Sequence, residues 1–264
     1  MPVSGKICIQ VTCFVSILII TAVAFAAETS ISERALASDT IIKDIYRAGT
    51  GLPVGKIQSV RGVTYIFHRD LSTGYRAKTG LPLYPGDILH TRKDARMFFR
   101  LADGSRLAMA PQTVITLLQA NLNSARKSSE SFVAQKQGAV RYTVNPVPGM
   151  IISGFKVETG TAFIQARKAD FIVSADPGRT AIINLENSRL EVTNLTDPEE
   201  IHFLSDYQRA AVRRGSVFPL IETVSPEDAE ELVSSFRPAP DNKLFTRRAF
   251  NLSAQDTSGA TPEE

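Results

Sequence analysis

The stretch that decides the fold runs from Leu83 to Leu107. It reads Leu83-Tyr84-Pro85-Gly86-Asp87-Ile88-Leu89-His90-Thr91, then Arg92-Lys93-Asp94-Ala95, then Arg96-Met97-Phe98-Phe99-Arg100-Leu101-Ala102-Asp103-Gly104-Ser105-Arg106-Leu107. Met97, Phe99 and Leu101 alternate with Arg96, Phe98 and Arg100, the period of two that gives a strand one buried and one wet face. Pro85-Gly86-Asp87 and Asp103-Gly104 punctuate the run, because Gly and Asp supply the positive φ that tight hairpins need.

The same grammar continues outward. Val140, Tyr142 and Val144 alternate with Arg141 and Thr143, Phe155 and Val157 flank Lys156, and Leu190 and Val192 flank Glu191. Ala181, Ile183 and Leu185 alternate with Ile182 and Asn184, and turn residues recur at Gly138, Gly160, Pro177-Gly178 and Glu186-Asn187-Ser188. This spacing predicts one all-β domain, sandwich or barrel-like, over residues 54–217. Residues 121–130 are predicted to be a polar loop, and Pro146 and Pro148 keep residues 145–150 out of any ladder because Pro lacks the donor. Upstream, residues 27–53 form a polar lead-in, where Ser30 and Glu33 have capping-box spacing and Ile41, Ile42 and Ile45 predict one side of a short helix. Downstream, Ser225-Pro226-Glu227-Asp228 reads as an N-cap with acids in the first turn. It predicts a helix from Pro226 to Phe236 within a short helical extension, residues 218–236. Residues 237–264 are Pro-rich and polar and predict a flexible tail.

The chain has 264 residues, 43% hydrophobic and 22% charged, enough to build a core and unlike a disordered protein. A net charge of +3, from 30 basic and 27 acidic residues, is too mild for a nucleic-acid partner. Residues 1–26 carry Lys6, an apolar run from Val11 to Phe25 and a terminal Ala24-Phe25-Ala26, and read as a signal peptide cut after Ala26. The alternative is an uncleaved membrane anchor over Ile7 to Ala27, about the 20 residues that a spanning helix needs. Cys8 and Cys13 both lie in this segment. Cleavage leaves 264 − 26 = 238 residues with no thiol and a charge of 29 − 27 = +2, so no disulfide holds the mature fold.

In order, these stretches resemble the FecR domain, the periplasmic portion of iron-siderophore anti-sigma regulators. Val54-Gly55-Lys56-Ile57 is similar to the opening strand, and Leu83 with Pro85-Gly86-Asp87-Ile88-Leu89-His90-Thr91 to the L-x-x-G-D-x-L-x-T segment. Ala102-Asp103-Gly104-Ser105-Arg106-Leu107 with Ala110-Pro111-Gln112-Thr113 is similar to the D-G-S hairpin, and Gly138-Ala139-Val140-Arg141 to the G-x-V-R strand. Phe155-Lys156-Val157-Glu158-Thr159 is similar to the strand that precedes the family's R-G-T-x-F element. That element itself reads Arg167-Lys168-Ala169-Asp170-Phe171 here, without its Gly and Thr, and the E-G turn is Glu186-Asn187. The resemblance implies an exported domain in the periplasm, or one anchored in the inner membrane and facing it. The roughly seven residues ahead of the apolar run are too few for the cytoplasmic sigma-binding domain of the signalling members, and residues 218–264 too few for their C-terminal subdomain. The expectation is a freestanding exported FecR domain.

No catalytic pattern emerges from the sequence. His68, His90 and His202 fall on separate predicted strands without i, i+2 or i, i+4 partners, and are expected to be isolated. Turn capping accounts for Asp87 and Asp103. Ser105 and Ser153 lack a G-x-S-x-G frame, and no phosphate or dinucleotide loop is present, so neither an enzyme nor a cofactor is expected. Leu244, Phe245, Phe250 and Leu252, set among Lys243, Arg247 and Arg248, are the candidate partner-docking residues; the alternative is that they fold back on the β domain. The expected role is a non-catalytic protein-binding or signalling module whose partner is another envelope protein, with membrane contact only if the N-terminal segment stays uncleaved. The alternative is a glycan-binding or wall-associated structural module, although without Trp only Tyr46, Tyr65, Tyr75, Tyr84, Tyr142, Tyr207 and Phe could stack on sugars.

Overall fold

The computed structural model describes residues 40–236 except 70, 124, 186–187 and 217–220. In chain order the strands are β1 (Ile41–Lys43), β2 (Gly55–Arg61), β3 (Thr64–His68), β4 (Thr73–Arg76), β5 (Pro82–Leu83) and β6 (Asp87–Thr91). Next come β7 (Arg96–Leu101), β8 (Arg106–Met109), β9 (Val114–Asn123), β10 (Ser128–Val144), β11 (Ile152–Glu158) and β12 (Ala162–Ala166). The chain continues through β13 (Ala169–Asp176), β14 (Arg179–Asn184), β15 (Leu190–Asn194), β16 (Asp197–Leu204), β17 (Gln208–Arg213) and β18 (Glu222–Thr223) to a helix, α1 (Pro226–Ser234). Among the described residues the fold is all-β with one C-terminal helix, as the alternation requires.

The strands pair in two sheets. One runs β1-β4-β3-β6-β9-β10-β11-β12-β15-β16. The other runs β5-β2-β7-β8-β10-β13-β14-β17-β18. The pairs are antiparallel apart from β1–β4 and β10–β11. Ile66, Leu89 and Val133 from the first sheet join Ile57, Phe99 and Tyr142 from the second in one core, so the sheets pack face to face. Each such side chain contributes about 1.5–3 kcal/mol of burial.

The two sheets share β10. Its first half buries Ser129, Ser131, Val133 and Gln135, all odd positions, whereas its second half buries Val140, Tyr142 and Val144, all even. A strict strand cannot change phase, and Gly138 makes the change at φ +85°. A Cβ there would lie 2.3 Å from Thr113 Oγ1 and 2.5 Å from Thr113 Cα. Gly138 is therefore the corner between the sheets rather than a turn between strands. Gln135 satisfies the backbone beside it, donating from Nε2 to the carbonyls of Gly138 (2.8 Å) and Val173 (3.0 Å). The Tyr142 hydroxyl donates to Gln135 Oε1 at 2.8 Å, and the Tyr142 ring stacks on Phe171 with centroids 5.0 Å apart.

Three local expectations are corrected. Ile41, Ile42 and Lys43 form a strand, not a helix, because parallel pairing with β4 supplies their hydrogen bonds. Gly74 leaves room for this: a Cβ there would meet Phe67 Cε1 at 2.5 Å and Ile42 Cδ1 at 2.8 Å. The polar stretch 121–130 is mostly ladder, since Asn121–Asn123 end β9 opposite Ser128–Glu130 of β10. The helix stops at Ser234, two residues early, capped by Ser225 Oγ accepting from the Asp228 N–H. Phe236 nevertheless packs with Ala108, Ile172, Leu185, Val224 and Ala229 in a second cluster, so α1 covers the outer face of the second sheet. Arg96 Nη1 donates to the Ser235 carbonyl.

Candidate functional site

A sandwich interacts through its faces or its edges, and an edge strand presents unpaired N–H and C=O groups that a further strand can use. Among the described residues four strands have a ladder partner on one side only. β1, β5 and β18 have three, two and two residues. β16 has eight and is the one long open edge among the described residues.

Local sequence makes β16 what it is. Leu204 turns into the core while Ile201 and Phe203 turn out, 52% and 42% exposed. Register places Phe203 opposite Glu191 and Ile201 opposite Thr193. The outer face continues inward to Phe163 and Phe132, whose rings meet edge to face at 6.0 Å. The Arg189 guanidinium carbon stands 4.0 Å above one face of the Phe203 ring, in cation–π contact with it. Asp197, Glu199 and Glu200 are exposed, and His202 Nε2 lies 3.0 Å from Glu200 Oε1. Pro198 and a register shift at Thr193/Asn194 blunt the start of the strand and leave its second half free to pair.

A second constellation corrects the expectation of isolated histidines. β3 ends opposite the start of β6, bringing His68 to Asp87. Nδ1 lies 2.6 Å from Asp87 Oδ1, and Asp87 Oδ2 accepts from the Tyr84 N–H at 2.8 Å. Asp87 thus caps its turn, as expected, and holds a histidine as well. Tyr46, Tyr75 and Tyr84 surround the imidazole with centroids 5.6, 5.2 and 5.9 Å away. Burial pushes the Asp87 carboxyl above its ordinary range, against the opposing pull of the His68 bond and the Tyr84 N–H. The Tyr46 hydroxyl, raised by burial and by Asp87, donates to the Pro82 carbonyl at 2.7 Å. Nothing local announces this cluster, because 19 residues separate the pair.

Asp103 serves a turn, accepting from the Ser105 N–H at 2.8 Å and from Ser131 Oγ at 2.6 Å. Among the described residues no three His, Cys, Asp or Glu side chains converge as metal ligands. A cleft of about 540 Å³ beside Leu52, Pro85, Asn121, Leu122, Arg126 and Glu130 brings one acid and one base to a lining that is otherwise apolar apart from two Asn amides and the Ser128 hydroxyl. The tyrosines offer no flat stacking platform, since Tyr75, Tyr84 and Tyr142 are buried and Tyr46, Tyr65 and Tyr207 are partly covered. Leu244, Phe245, Phe250 and Leu252 lie outside the described residues, as do the 1–26 segment with its cysteines, the Ser30/Glu33 capping box and the Glu186-Asn187 turn. No helix among the described residues is long and apolar enough to cross a membrane.

Residues 87–188 match the family described as FecR protein. No curated protein matches. Solved structures that match include two of a candidate anti-sigma factor from Parabacteroides distasonis, each 16% identical over 55% of this chain, with TM-scores of 0.44 and 0.43. They are covered over 63% and 64% of their own length, so the match spans less than two thirds of either. The family match begins at Asp87 of the His68 pair and ends at Ser188, and β16 lies just beyond it. Residues 87–188 of this chain are thus similar to the FecR protein family.

Proposed function

We propose that this protein is a non-catalytic signalling module of the cell envelope that binds another envelope protein through the β16 edge and the adjoining outer face of its sheet. The FecR family is regulatory rather than catalytic and typically envelope-associated. The observation that carries the reading is the one long open edge among the described residues, with Ile201 and Phe203 displayed on it. The signal-peptide reading of residues 1–26 supports export to the periplasm, and a domain extending over residues 54–217 would place β16 within it. Leu244, Phe245, Phe250 and Leu252 are proposed as a second contact to the partner. The test is retention of the purified mature protein on isolated peptidoglycan against capture of solubilised envelope proteins. Selective capture of a protein is expected, while strong retention on peptidoglycan alone would replace this reading with a wall-associated one. Deleting residues 237–264 should leave the melting temperature unchanged and weaken capture; a lower melting temperature would mean the tail folds back on the domain.

A further inference from the structure

The proposed protein-binding role leaves the partner's chemistry open, and β16 supplies it. Resting on that role, we infer that β16 accepts an extended basic segment with apolar residues at alternate positions, added to the sheet as a further strand. The reason is the charge of the edge. The protein carries +3 overall, yet β16 reads Asp197-Pro198-Glu199-Glu200-Ile201-His202-Phe203-Leu204, with three acids and no Lys or Arg. Two copies of this strand paired in parallel would bring those acids together, and paired antiparallel over 199–204 would set Glu199 and Glu200 against Leu204 and Phe203 of the other copy, so neither arrangement gives the acids a cationic neighbour. The edge therefore favours a cationic strand over a second copy. Specificity comes from the outward pair Ile201 and Phe203, which offer apolar contact to alternate side chains of the incoming strand. Affinity comes from the free backbone groups of the second half of β16. Pro198 ends the pairing at one side, so the partner's basic residues fall beside Glu199 and Glu200 and its apolar ones beside Ile201 and Phe203.

The test titrates the intact mature protein with a blocked synthetic peptide in which Val and Phe alternate with Thr between terminal Lys-Arg pairs. A control peptide carries Glu in place of each basic residue. The basic peptide should bind in a salt-dependent manner and slow amide hydrogen exchange at residues 199–203, and the acidic one should not. The double variant Glu199→Lys/Glu200→Lys should weaken binding about tenfold, while its circular dichroism stays that of the parent. Binding without protection at 199–203, or equal binding of both peptides, would overturn the inference. Protection that rises with protein concentration in the absence of peptide would make a second copy the occupant and also overturn it. If no peptide binds while crosslinkers on β16 still capture an envelope protein in cells, the partner's chemistry is wrong and the binding role stands. If both fail, the role fails too.

Discussion

His68 grips two parts of the chain at once: Nδ1 meets Asp87 Oδ1 at 2.6 Å, and Nε2 donates to the Arg47 carbonyl at 2.8 Å. The ring thereby fastens the segment ahead of β2 to the β3–β6 ladder. Because the carbonyl only accepts, Nε2 is the donor in the second of these bonds.

Burial holds the Asp87 carboxyl above the unfolded value of 3.8, so the folded state binds its proton more tightly. The stability this group contributes is complete below 3.8 and is lost as pH rises through the folded value. Compared with Asp87→Asn, the parent should therefore hold its largest advantage in acid, with the gap narrowing toward neutrality. Urea unfolding at several pH values measures it. A gap that widens with pH would mean that the His68 pairing outweighs burial.

Gly138→Ala should cost about 2–4 kcal/mol, combining a positive-φ penalty with overpacking against the Thr113 backbone. The same substitution at Gly178, which has open space around it, should cost about 1 kcal/mol or less. Equal costs at both sites would remove Gly138 from its role as the corner of β10.

Tyr142→Phe strips the donor from Gln135 Oε1 inside the core and should cost about 1–2 kcal/mol. Arg141→Ala breaks a bidentate pair with Asp170, at 2.9 and 2.7 Å, that water still reaches, and should cost under about 1 kcal/mol. Thermal unfolding of the two variants ranks them, and the reverse order would contradict this distribution of stability.

What the sequence revealed and what it hid divide by distance along the chain. Met97, Phe99 and Leu101 alternate within one strand, and Asp103 caps a turn two residues away, so both were legible. The Ser225 cap was legible for the same reason. Ile41 and Ile42 read equally well as helix until β4 offers a ladder, and His68 looks solitary until β3 and β6 pair. Gly138 carries a turn residue's signature but sits mid-strand, because two sheets meet there and only tertiary structure says so. The β16 edge was hidden likewise, since nothing local shows that a strand lacks a second neighbour. Among the candidate-site residues, Ile201 and Phe203 could have been flagged by alternation behind three acids.

Phe203→Ser should leave stability nearly unchanged, within about 1 kcal/mol, because the side chain already faces solvent. It should nonetheless reduce capture of the partner by about tenfold if Phe203 is a central contact. A variant that binds normally would move the contact off this face.

The most direct measurement is a photo-crosslinking scan in living cells, placing the reactive side chain in turn at 199, 201 and 203 on β16 and at 41 on the short opposite edge. The account predicts one discrete adduct with an envelope protein from the β16 positions, lost on Glu199→Lys/Glu200→Lys when the crosslinker is at 203, and none from 41. An adduct from 41 alone, or no adduct from any β16 position, would contradict it.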